Sequence, residues 1–139
     1  MTKQLATELI QAYKETNFIV YGEQPFTLKI GSPSSALVQL FDKTNALCAA
    51  FITACNPFSE SLPEHKNNEF QKTLEDALTK RSLKFFEGIG QHPSGNWPGE
   101  PSFLVLDLDL AAARVLAKYH KQNAFVWCGQ DGMPELVIT

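Results

Sequence analysis

The run Leu47-Cys48-Ala49-Ala50-Phe51-Ile52 is apolar at every position, and it halts abruptly at Thr53-Ala54-Cys55-Asn56-Pro57. A run without alternation has no side to show to water. It suits a strand buried on both faces, inside a sheet and not at its edge. Pro57 withholds a ladder donor and restricts Asn56 to extended or turn geometry, so the strand ends there.

The flanking patterns mix helices with strands. Leu5, Leu9, Ala12 and Tyr13 recur at helical spacing and predict a helix over 3–15 with one buried face. Phe18 to Tyr21 and Phe26 to Ile30 flank the turn Gly22-Glu23-Gln24-Pro25 and predict a hairpin. Ser32-Pro33 reads as an N-cap and first helical residue, Leu37, Leu40 and Phe41 as the buried face that follows, and Asn45 as the stop. After a polar loop from Ser59 to Lys66, Asn67 or Asn68 opens a third helix, Gln71 completing a capping box. Leu83 to Phe86 and Phe103 to Leu106 read as strands on either side of the longest aperiodic stretch, Gly88 to Glu100. Asp107 or Asp109 caps a fourth helix. Ala124 to Trp127 and Leu136 to Ile138 are final strands around the turn Asp131-Gly132, with Pro134 placing the last one at an edge. The expectation is a single α+β domain over residues 1–139, a mixed or antiparallel central sheet of about six strands packed with about four helices.

Several function classes are disfavoured. A net charge of −3 argues against binding nucleic acid through its phosphates. Cys48, Cys55 and Cys128 are odd in number and lack C-x-x-C spacing, which suits neither a disulfide framework nor a thiolate zinc site. His65, His92 and His120 lack metal-ligand spacing, and Gly88-x-Gly90 lacks the third glycine of a dinucleotide fingerprint. No metal or cofactor is expected. No segment resembles a signal peptide or approaches the ~20 apolar residues of a membrane span, so a cytoplasmic protein without a membrane partner is expected. Nothing in the sequence sets the oligomeric state.

Three segments carry the candidate chemistry. Thr53 and Asn56 sit where a buried strand ends, a common place for ligands in α/β sheets. The aperiodic stretch offers His92 for proton transfer, Trp97 for stacking and Glu100 as acid or base. Gln122-Asn123 could read a polar ligand, although Asn123 also suits helix termination. Each has a structural alternative: Thr53 and Asn56 as turn-formers, Trp97 as a loop anchor, Glu100 as a partner for loop backbone. Cys55 is a nucleophile only with a base beside it.

The segments Phe51-Ile52-Thr53-Ala54-Cys55-Asn56-Pro57, then the helix-opening Asn67, then Gly90, Pro93, Gly95, Trp97 and Glu100-Pro101-Ser102-Phe103, then Gln122-Asn123-Ala124, together resemble a bacterial family catalogued as domain of unknown function 3293. The resemblance implies no reaction. It selects Thr53, Asn56, Pro57, Asn67, Trp97, Glu100, Gln122 and Asn123. It departs at Cys55, where the family pattern usually has Trp, and at Lys66, where it often has Glu. Amides, a hydroxyl, a carboxylate and an indole form a hydrogen-bonding and stacking inventory. The resulting expectation is one polar pocket at the end of the central strand for a small polar ligand, nucleotide-like ones included, with Glu100 as any catalytic group. The alternative is a protein-interaction or regulatory module in which these residues are scaffold.

Overall fold

The computed structural model describes residues 6–96 and 98–139. Its elements are α1 (Thr7–Glu15), β1 (Asn17–Val20), β2 (Phe26–Leu28), α2 (Ser35–Thr44), β3 (Ala49–Ile52), a 3-10 turn (Pro57–Ser59), α3 (Glu64–Lys80), β4 (Phe85–Gln91), β5 (Glu100–Leu106), α4 (Leu110–Tyr119), β6 (Ala124–Cys128) and β7 (Pro134–Ile138). The start of the helix expected over 3–15 lies outside the described residues.

The strands form one seven-stranded sheet in the order β2-β1-β4-β5-β3-β6-β7. Every neighbouring pair is antiparallel. Among the described residues the sheet thus has seven strands against the expected six or so, and no parallel pair. All four residues of β3 are buried. Ala49 and Phe51 enter a core with Leu37 and Phe41 of α2, whereas Ala50 and Ile52 enter one with Leu74 and Leu78 of α3 and Leu116 of α4. The apolar run is continuous because helices cover both faces. An edge-to-face aromatic pair sits in each layer, Phe18–Phe51 at 5.3 Å and Phe85–Phe103 at 5.0 Å. Such pairs contribute about 0.5–1.5 kcal/mol beyond the area they bury.

Local chemistry moves several boundaries. Ser34, not Ser32, caps α2, its hydroxyl accepting from the Leu37 N–H at 3.1 Å. Asn45 ends that helix in the left-handed region at φ 62°. Pro63, not Asn67 or Asn68, sits at the N-cap of α3, so part of the expected polar loop is helix. The stretch from Gly88 to Glu100 is not all loop, because Gly88 to Gln91 continue β4 and Glu100 to Ser102 begin β5. Strand periodicity is hidden there because inward positions carry glycine. A Cβ on Gly88 would strike the Ile19 carbonyl and come within 3.0 Å of the Phe51 ring.

Candidate functional site

The antiparallel register brings distant segments to one end of the sheet. β3 leaves it after Ile52, which pairs with Phe103 near the start of β5. Phe51 pairs with Val126, so the start of β6 lies alongside. Thr53 to Ser59, Glu100 and Gln122-Asn123 therefore meet.

Asn56 is the hub. Its amide nitrogen Nδ2 donates to Glu100 Oε2 at 2.8 Å. Its Oδ1 accepts from the Leu62 N–H at 2.9 Å and from Asn67 Nδ2 at 2.8 Å. Its backbone N–H donates to Asn67 Oδ1 at 2.8 Å, so the two asparagines close a reciprocal ring. Asn67 works from the first turns of α3 as a clamp, which corrects its expected capping role. Thr53 Oγ1 donates to the Pro101 carbonyl at 2.7 Å and accepts from the Cys55 N–H at 3.1 Å. Gln122 Nε2 donates to the carbonyls of Cys55 at 3.0 Å and His120 at 3.3 Å. Asn123 Nδ2 donates to Ser59 Oγ at 2.8 Å. The left-handed residue after α4 is Lys121, at φ 59°, and not Asn123.

The turn is strained. Asn56, Phe58 and Ser59 have φ of 49°, 54° and 63°. Asn tolerates this region, but a bulky Phe rarely enters it. The Phe58 N–H donates to the Lys121 carbonyl at 2.7 Å, docking the turn on the segment after α4. Backbone strain of this kind clusters at functional sites.

Glu100 is largely buried, and burial raises its carboxyl above the ordinary range while the Asn56 hydrogen bond opposes the shift. Among the described residues it has no cationic partner. Tyr13 of α1 lies near Glu100 and Ser59. Burial first and the Glu100 charge second push its phenol up to about 12. Tyr13 and Ser59 were not singled out from sequence. A tyrosine on a buried helix face needs a partner for its hydroxyl, and that was the available signal. Gln71 was also missed as a contact residue: its Oε1 accepts from the Ala54 N–H at 3.0 Å.

Cys55 shares the turn but not its chemistry, and His92 lies apart from it. Cys55 is 1 % exposed and its thiol is pushed up to about 11 by burial, so it stays protonated and unreactive. His92 lies on the β4–β5 connection, its contacts including Ser94 Oγ at 2.8 Å and Glu15 Oε1 at 3.4 Å. Trp97 lies outside the described residues. Among the described residues no group of three or more His, Cys, Asp or Glu is arranged to hold a metal ion, and no helix is long and apolar enough to cross a membrane.

The family described as "Protein of unknown function (DUF3293)" matches residues 52–125, more than half of the chain. The matched span holds Thr53, Asn56, Asn67, Glu100, Gln122 and Asn123, but neither α1 nor its Tyr13. No curated protein and no solved structure matches. The chain belongs to the DUF3293 family.

Proposed function

We propose that this member of the DUF3293 family binds a small polar ligand rich in N–H donors, nucleobase-like in chemistry, beside the cluster of Tyr13, Ser59, Glu100 and Asn123, with Glu100 as the proton-transfer group. The observation that carries the reading is Glu100: a largely buried carboxyl, raised above its ordinary range, held by one neutral amide. Structural carboxylates are normally paired when buried. A carboxyl kept without a cation among the described residues, and raised above its ordinary range by burial, is a group suited to giving and taking protons.

The ligand class follows from what is unsatisfied. Asn123 is 5 % exposed, and its Oδ1 is buried without a donor among the described residues. Glu100 and Asn123 both offer acceptors, so they favour N–H groups on the ligand. The Tyr13 phenol, held protonated, supplies the opposing donor.

The test is a thermal-shift screen against nucleobases, nucleotides and polar metabolites. A ligand at 100 times its dissociation constant stabilises the fold by about 2.7 kcal/mol. Hits should vanish in Glu100→Gln and weaken in Asn123→Ala. Hits that persist at full strength in both variants place the ligand elsewhere and sink the reading.

A further inference from the structure

We propose that the groove between α3 and β4 is a second binding site, for a small molecule that carries a cationic nitrogen and a carbonyl oxygen on an apolar body, an α-amino amide being the simplest case. The groove has a volume of about 410 Å³. That lies within the ~300–1,000 Å³ of small-molecule sites. It is separate from the Asn56 ring, against the face of β4 and β5 that α3 only partly covers.

Its apolar floor includes Ile89 and Phe103, and Tyr21 stands at its margin with 47 % of its surface exposed. One wall is the stripe of α3 that holds Gln71, Lys72 and Glu75. Lys72 is neutralised within that helix by Glu75 at 3.5 Å and Asp76 at 3.3 Å. Facing it is Glu87, which pairs with Phe103 in register. The Glu87 side chain is exposed and has no ion pair or hydrogen bond among the described residues. The groove therefore keeps one uncompensated carboxylate beside an aromatic ring, a pairing that attracts cationic nitrogen.

The second half of the ligand is read from Gln71. Its Oε1 is engaged by the Ala54 N–H, which fixes which end of the amide carries the nitrogen. Its Nε2 is buried and has no acceptor among the described residues. Unpaired buried donors are rare and costly. A carbonyl oxygen brought against Gln71 by a small shift of the side chain would satisfy it. A cation at Glu87, a carbonyl at Gln71 and an apolar body on Ile89 and Phe103 make up the proposed ligand.

The experiment is an amide-resonance titration of the isotope-labelled full chain with three probes. Phenylalaninamide carries both groups, 3-phenylpropanamide lacks the cation, and phenethylamine lacks the carbonyl. Phenylalaninamide should bind near ~1 mM, the range for so small a ligand. It should move the resonances of Ile89 and Phe103 and bind roughly fivefold more tightly than either truncated probe. Glu87→Gln should erase the preference over 3-phenylpropanamide. Gln71→Glu keeps the acceptor for Ala54, removes the donor, and should erase the preference over phenethylamine. Unchanged affinities in Glu87→Gln overturn the proposal, as does the absence of groove shifts up to ~10 mM. Should Gln71→Glu fail to fold, the exposed Glu87 decides alone. Shifts confined to residues 55–59 and 100 would reject the groove while leaving the Glu100 reading standing.

Discussion

Two polar regions flank the start of β5, and they differ in how much of their hydrogen-bonding capacity the chain itself uses. In the Asn56 ring, both amide atoms of Asn56 and of Asn67 are engaged within the protein. In the α3–β4 groove, the Glu87 carboxylate and the Gln71 nitrogen are not engaged among the described residues. A saturated amide holds shape and has little left for a ligand. The candidate amides therefore divide. Asn56, Asn67 and Gln122, with the Thr53 hydroxyl, build the turn, and what they hold in place is Glu100. The sharpest way to break the contrast is to unbuild each region and compare the losses.

The largest loss is expected from Asn56→Ala. It strips partners from Asn67, Leu62 and Glu100 at once and puts a Cβ without a local hydrogen bond at φ 49°. Unpaired groups at about 1–3 kcal/mol each and a left-handed residue at about 1–2 kcal/mol predict a net loss of about 3 kcal/mol, measured by chemical denaturation. Asn56→Gly relieves the backbone part and should recover about 1 kcal/mol. Equal losses in the two variants would remove backbone strain from the account.

Glu100→Gln is expected to act in the opposite direction. The carboxyl titrates above its ordinary value of 4.5 in the fold because burial disfavours its charge. A raised native value means that its contribution to stability is complete below pH about 4.5 and is lost as pH rises through the native value. The charged form, which burial disfavours, therefore weighs against folding once pH passes that native value. Glutamine keeps the shape and an acceptor for Asn56, so the variant should gain about 1 kcal/mol at pH 7 and lose that part of the pH slope. A variant less stable than the parent at pH 7 would make Glu100 a structural residue and remove the main support for the ligand site.

The sequence made much of this fold legible because burial leaves a pattern. The apolar run through Ala49 to Ile52 announced a strand covered on both faces, and Pro134 announced the edge strand. Gly88 and Gly90 concealed strand length, since a packed glycine leaves no apolar mark. The helix start at Pro63 was masked by Asn67, a good cap by type that is employed elsewhere. At the site, Asn56, Glu100 and Gln122 were identifiable by residue type, but their convergence came from the register of β3 with β5 and β6, which no local pattern encodes. Tyr13 and Ser59 escaped because their proximity spans separate elements and each looks ordinary alone.

Glu87→Gln sharpens the comparison from the other side. An exposed side chain with no partner among the described residues contributes little to the fold, so its replacement should change stability by less than about 0.5 kcal/mol. The same variant should alter cation binding in the groove. A stability loss comparable to that of Asn56→Ala would mean that Glu87 is engaged in the fold, and the distinction between a saturated and an open region would fail at its open end. A null effect on stability together with a changed probe preference would separate the two regions by experiment: one whose polar groups maintain the chain's own turn, and one whose polar groups face outward.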